Sequence, residues 1–232
     1  MTVNLPVVTK GFSKIYTEGQ FTVNAVSDVD LQLNEGEVVG LFGPSGSGKT
    51  TLLSMLGCIL RPSGGSFELY GHNVSVLDDR QLTQLRKKYI SFIFQGFNLF
   101  PALTAFENVM LVLKLKGVKG DPAEKRAIEL LCAVGLEERI HFLPRDLSGG
   151  QKQRVAVARA LAADAPIILA DEPTGNLDFV NGRKVMEVLN QLAKEQNRCV
   201  IVATHDNRIE DVFDRILYMQ DGRIISEKRR EA

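Results

Sequence analysis

Residues 38–56 read VVGLFGPSGSGKTTLLSML. The first five form an apolar run, too short for a helix and suited to a buried strand. Residues 43–50 fit the spacing Gly, four residues, Gly-Lys-Thr. Beyond them Leu52, Leu53, Met55, Leu56 and Ile59 recur at helical spacing. Strand, glycine-rich loop and helix in that order make a phosphate cradle. The glycines let the backbone turn so that successive N–H groups face phosphate oxygens. The helix beginning near Gly48 adds its positive end. Lys49 sets a cation against the outer phosphates, and Thr50 offers a hydroxyl to Mg²⁺. The expected ATP-binding residues are Gly43, Pro44, Ser45, Gly46, Ser47, Gly48, Lys49, Thr50 and Thr51.

Two further stretches carry chemistry. Residues 167–170 are apolar and run into Asp171 and Glu172. Open α/β sheets bind ligands at the carboxyl ends of their strands. Asp171 is expected to meet Mg²⁺ through a water, and Glu172 to act as general base on a water attacking the γ-phosphate. Leu147-Ser148-Gly149-Gly150-Gln151 precedes a helical run over 152–163. Ser148 suits a helix cap, and the two glycines leave backbone N–H groups free at the helix's positive end. One chain thus carries two anion-binding motifs.

The remaining pattern sets these motifs in a frame. The first 40 residues read as strands, with Val29, Leu31 and Leu33 alternating ahead of a turn at 34–37. Residues 66–70 alternate again. From 76 to 165 the pattern turns helical, most clearly over 78–88, 105–116 and 122–133. A helix over 182–196, a strand over 199–203 and a hairpin around Asp221-Gly222 follow. The expected fold is α/β, with a mostly parallel sheet, an N-terminal antiparallel β subdomain and an inserted α-helical subdomain. Residues 1–232 read as a single domain, with a core of 1–95 and 156–232 and a helical subdomain of about 96–155.

Composition narrows the function classes. Lys plus Arg equals Asp plus Glu, 28 each, so no basic excess points to a nucleic-acid partner. Cys58, Cys132 and Cys199 lie far apart and form no metal-binding spacing. They are expected to be reduced, buried thiols of a cytosolic protein. No apolar stretch reaches the roughly 20 residues of a membrane helix, and no signal peptide is expected. The mixed-charge tail from Glu227 to Glu231 is expected to fray.

The phosphate loop, LSGGQ at 147–151, ILADEP at 168–173 and Thr204-His205 occur in the order seen in ABC ATPases, and the chain resembles that family over about residues 7–226. The resemblance implies a RecA-like P-loop NTPase core and a helical subdomain bearing the LSGGQ signature. It implies that one subunit's loop faces the partner's Ser148, Gly149, Gly150 and Gln151 across the nucleotide. ATP would then draw two copies into a homodimer. Tyr16 resembles the aromatic that stacks on adenine. Gln95 resembles the glutamine that reaches Mg²⁺, Asp178 the aspartate that couples the two sites, and His205 the histidine that contacts the γ-phosphate. His72 and His141 match no motif and are expected at the surface.

Residues 97–109, FNLFPALTAFENV, are unusually apolar for a loop region. They read either as core or as a docking groove for a partner's helix. The resemblance implies an integral membrane permease docking near residues 95–110. The protein would then lie peripherally on the inner, cytoplasmic face of the cell membrane. Residues 92–109, 170–178 and 204–209 are similar to the branch containing MacB, LolD and DevA, exporters of macrolides, lipoproteins and glycolipids. Cell-division and amino-acid-uptake members share much of these stretches and remain alternatives. Soluble ABC ATPases of DNA or ribosomes carry coiled coils or tandem units, and this chain shows neither.

Overall fold

The structure, a computed structural model, describes residues 5–230. Two long strands open the described chain, β1 (Val7–Glu18) and β2 (Phe21–Leu33), followed by β3 (Val38–Phe42). The phosphate loop leads into α1 (Lys49–Leu56), then β4 (Gly64–Leu69) and β5 (His72–Asn73). Next come α2 (Asp79–Tyr89), β6 (Ile90–Ile93), α3 (Ala105–Leu115), α4 (Asp121–Ala133) and α5 (Gly149–Leu161). The core resumes with β7 (Ile167–Asp171), α6 (Phe179–Gln196), β8 (Cys199–Thr204), β9 (Arg215–Gln220) and β10 (Arg223–Arg229).

Two sheets result. The four-stranded one, ordered β2-β1-β4-β5, is antiparallel throughout. The six-stranded one is ordered β10-β9-β3-β8-β7-β6, and only β10 runs antiparallel. This matches the expected frame. β3, β7 and β8 are buried at every residue, because the six-stranded sheet is covered on both faces. Ile168 and Ala170 face the core that includes α3, α4, α5 and α6, while Ile167 and Leu169 face α1 and the antiparallel sheet. Each buried Ile or Leu side chain among them contributes about 1.5–3 kcal/mol. Both faces of these strands are apolar, which is why a continuous hydrophobic run, not an alternating one, marks them in the sequence.

Four local readings change. The helical pattern over 76–165 is interrupted by β6, a four-residue strand too short to register beside α2. Ile59 lies past the end of α1 and is exposed. Cys132 is exposed while Cys58 and Cys199 are buried. α4 turns Ala127, Leu130 and Leu131 inward, and Cys132 falls on its other side. The tail is ordered through Arg229. Glu227 pairs with Leu217 in the sheet, and its carboxylate meets Arg229 at 2.7 Å. Glu231 lies outside the described residues.

α5 runs unbroken across residue 155. It packs on α3 and α4 and also on β6, where the Ser91 hydroxyl donates to Ala160 O at 2.6 Å. The expected boundary at 155/156 therefore falls inside a helix that belongs to both regions.

The apolar stretch 97–109 divides in two. Ala105, Asn108 and Val109 are core, whereas Phe100, Pro101 and Ala102 are exposed. Asn108, 0 % exposed, ties the halves together. Its Oδ1 accepts from Phe100 N at 2.9 Å, and its Nδ2 donates to the carbonyls of Leu103 and Thr104, both at 2.9 Å. Asn108→Ala strands these groups and is expected to cost about 2–3 kcal/mol. Urea unfolding should show the loss as a lower midpoint at unchanged slope. A shift near zero would mean that the amide does not hold the loop.

Candidate functional site

The phosphate loop keeps its shape through contacts that admit no side chain at two positions. Gly48 stands at φ 101°, and a Cβ there would lie 2.2 Å from Ala25 O. A Cβ on Gly43 would lie 2.1 Å from Met219 O. The loop is thus clasped between β2 and the end of β9. Gly222 N, from the β9–β10 turn, donates to Ser47 O at 3.0 Å, and Ser27 N donates to Gly222 O at 2.8 Å. Sequence reading identified Asp221-Gly222 as a hairpin turn only. Its propping of a loop some 175 residues earlier leaves no local signal.

Lys49 is buried and donates from Nζ to the carbonyls of Gly43 and Pro44 at 2.7 and 2.9 Å. Burial pulls its pKa down, and the nearby Glu172 and Asp171 carboxylates offset part of that pull. Ser47 is also buried, and its hydroxyl has no partner among the described residues.

The five parallel strands β3, β6, β7, β8 and β9 end at one open cavity of about 670 Å³. Ser45 to Thr51, Gln95, Asp171, Glu172 and His205 all line it. Asp171 closes β7. Burial raises its pKa, the Thr50 hydroxyl bonds to it and lowers it, Glu172 raises it and Lys49 lowers it, with burial the largest effect. Glu172 has φ 48°, a left-handed backbone that costs a non-glycine residue about 1–2 kcal/mol. The twist is held by Glu172 N donating to Ala203 O at 2.9 Å and by Gly175 N donating to Glu172 O at 3.1 Å. It delivers a buried carboxylate to the cavity wall. Glu172 Oε1 and His205 Nδ1 are 2.7 Å apart, so the imidazole N–H donates to the carboxylate. His205 itself is largely exposed, which leaves its Nε2 directed away from that bond.

Thr50, Gln95 and Asp171 share this cavity. Among the described residues, no group of three or more His, Cys, Asp or Glu could hold a metal ion. The donors present are a hydroxyl, an amide and one carboxylate, all oxygen-bearing. Such a set fits Mg²⁺ held jointly with phosphate oxygens and water, the usual arrangement for that ion.

Ser148, Gly149, Gly150 and Gln151 lie elsewhere and do not line the cavity. Ser148 caps α5, accepting from Gln151 N at 3.2 Å, while Gln151 Oε1 accepts from Ser148 N at 2.9 Å. The Ser148 hydroxyl serves the cap as an acceptor, so its own proton stays available to an anion. A Cβ on Gly150 would lie 3.1 Å from Leu177 and 3.3 Å from Asn176 O. Asp178 follows directly and caps α6, and the Asn181 N–H donated to its carboxylate pulls its pKa down. Asn181 in turn accepts from Arg154 of α5 at 2.7 Å. The Ser148 and Asp178 segments therefore form one patch, apart from the cavity.

Tyr16 is not in the cavity wall. It sits on β1 opposite Val23, which is in the wall. Cross-strand partners share a face, so Tyr16 flanks the rim, 43 % exposed. His72 and His141 are exposed, as expected.

Comparison with known proteins finds similar chains and structures. The family described as ABC transporter matches residues 26–175. An ABC transporter ATP-binding protein of Methanocaldococcus jannaschii, MJ0796, is 46 % identical over 226 residues, covering 95 % of each chain. MacB of Photorhabdus laumondii, a macrolide export ATP-binding/permease protein, is 44 % identical over 218 residues; the match covers 94 % of this chain and 34 % of MacB. A dimeric structure of the cassette MJ0796, in a post-hydrolysis state bound to ADP and Pi, superposes with a TM-score of 0.93. It is 43 % identical and covers 96 % of this chain and 98 % of that one.

The raised pKa of Asp171 has a consequence for stability. The folded protein holds that proton more tightly than the unfolded chain. Stability from this group therefore falls as pH rises from the ordinary value of 3.8 through the raised one. At neutral pH folding bears the cost of the buried charge. Asp171→Asn removes that cost and is expected to raise the thermal midpoint of the ligand-free protein, less the loss of its attraction to Lys49, while cutting ATP hydrolysis at least about tenfold. Calorimetry that found a lower midpoint would contradict this assignment.

Proposed function

The chain belongs to the ABC transporter family, and from that premise we propose the role of each site residue and the setting in which the protein works. It is an ATP-hydrolysing nucleotide-binding subunit, and it dimerises as cassettes of this family do. The observation that carries the residue-level reading is the division of its motifs. Lys49, Glu172 and His205 share one cavity, and Ser148 stands outside it.

The triphosphate of ATP rests on the loop from Gly43 to Thr51, where backbone N–H groups and the start of α1 meet its charge. Tyr16 stacks on adenine at the rim. Lys49 gives up its loop carbonyls for the outer phosphate oxygens. Glu172, fixed by its left-handed backbone and by His205, takes the proton of the attacking water. His205 meets the γ-phosphate through Nε2. Thr50, Gln95 and Asp171 would hold Mg²⁺, which would supply positive charge against the phosphates. Ser148, Gly149 and Gly150 of a second copy close the far side of the nucleotide, and Gln151 keeps Ser148 in place. Asp178, fixed in the same patch, couples the two sites.

The work is done on a membrane subunit. Phe100, Pro101 and Ala102, a few residues after Gln95 in the chain, are exposed and suit the apolar face of a docking helix. MacB, described as both ATP-binding and permease, matches this chain over only 34 % of its length. That supports a separate or fused permease partner and an export or envelope-translocation task. No helix among the described residues is long and apolar enough to cross a membrane. A peripheral place on the inner face of the cell membrane follows from this reading.

Glu172→Gln keeps the shape of the side chain and removes the proton acceptor. Steady-state hydrolysis should fall by about 10²-fold or more, while ATP produces a stable dimer on size-exclusion chromatography. Hydrolysis at the wild-type rate would show that another group is the base.

A further inference from the structure

Arg159 of α5 matches none of the motifs that carry the chemistry, yet it holds the loop that bears Gln95. The loop turns through two consecutive non-glycine residues with left-handed backbone, Phe97 at φ 62° and Asn98 at φ 50°. Their carbonyls point to one cation. Arg159 donates from Nη2 to Phe97 O at 2.8 Å and from Nη1 to Asn98 O. The rest of the turn is closed by Asn98 N donating to Gly96 O at 2.6 Å and Phe97 N donating to Phe94 O at 3.1 Å.

The guanidinium occupies a costly position. Burial pulls its pKa down, and no charge among the described residues offsets this. The side chain is half-buried, and a desolvated charge needs hydrogen-bond partners. Two of its N–H groups find them in backbone carbonyls, and both carbonyls belong to the strained turn. A planar fork can serve two carbonyls at once, which a lysine ammonium on its flexible stem does less well.

Arg159 lies eleven residues beyond Ser148 on one helix, about 16 Å along its axis. The two ends of α5 therefore address different places. One end presents Ser148, and the other grips the loop whose Gln95 lines the Lys49 cavity. We propose that Arg159 is a positioning residue that fastens the Gln95 loop to α5, so that Gln95 and Ser148 move as one body when two copies close on ATP. The proposal rests on the reading of Gln95 and Ser148 given above.

The test has two readouts, one of them independent of turnover. Hydrogen exchange on the purified protein reports the amides of residues 94–99. Arg159→Gln should raise their exchange at least about tenfold, and Arg159→Lys by less, while β7 and β8 stay protected. Kinetics then ask whether the loop acts through Gln95. Arg159→Gln and Gln95→Ala should each lower kcat about tenfold with KM for ATP within about twofold, and the double variant should be no slower than the slower single one. Unchanged exchange at 94–99 overturns the clamp. So do kinetic losses that multiply in the double variant. If Gln95→Ala alone leaves kcat unchanged, the role of Gln95 fails, and with it the claim that the clamp serves turnover. The exchange data then still decide whether the clamp exists. Arg159→Lys keeps the test usable should the neutral variant not fold.

Discussion

A phosphoryl group in transfer needs positive charge and N–H donors around it, and the proposed site draws them from two separate places in the chain. The lysine loop sits at the carboxyl ends of the parallel strands. The serine–glycine helix start sits on α5, outside that cavity. Both are rigid. The loop is clasped by Ala25, Met219 and Gly222, and Ser148 is locked into a capping box with Gln151. The rest of the architecture follows from this separation. A parallel sheet buried on both faces carries the loop and its acid, and a helical layer carries the other half of the proposed site.

The elements between the two halves have a common physical character. They are short, strained or held by single side chains. Glu172 and Phe97-Asn98 adopt left-handed backbone where no glycine relieves them. Asn108 and Arg159 hold the intervening loop through backbone carbonyls rather than through apolar burial. Strain of this kind persists only where neighbours over-determine it, and it collects where a structure has to switch. The apolar core on either side of the sheet is, by contrast, continuous.

Much of the site is legible in the sequence because its chemistry is encoded locally. The glycines of 43–48, the acidic end of 167–172 and the Ser148 cap each specify backbone shape and side-chain type within a few residues. Buried strands such as β3 and β7 stand out as unbroken apolar runs. What escapes is long-range or conformational. β6 is four residues long and leans on α2, so its signal merges with the helix. The contact of Gly48 with Ala25 and of Gly222 with Ser47 joins segments far apart in the chain. The left-handed turn at Glu172 leaves no mark on residue type, since a carboxylate is needed there whatever the backbone does. Glu227 to Arg229 look like a solvated tail because an edge strand facing water carries the same charged residues.

The central claim is that a working site is assembled from two copies, and complementation tests it most directly. Lys49→Ala disables one half of the site and Ser148→Ala the other. Each variant alone should hydrolyse ATP at a few per cent of the wild-type rate or less. In an equimolar mixture, random pairing leaves one intact site in half of the dimers, and activity should recover to about a quarter of wild type. A mixture no faster than the mean of the two variants alone would contradict a site shared between copies.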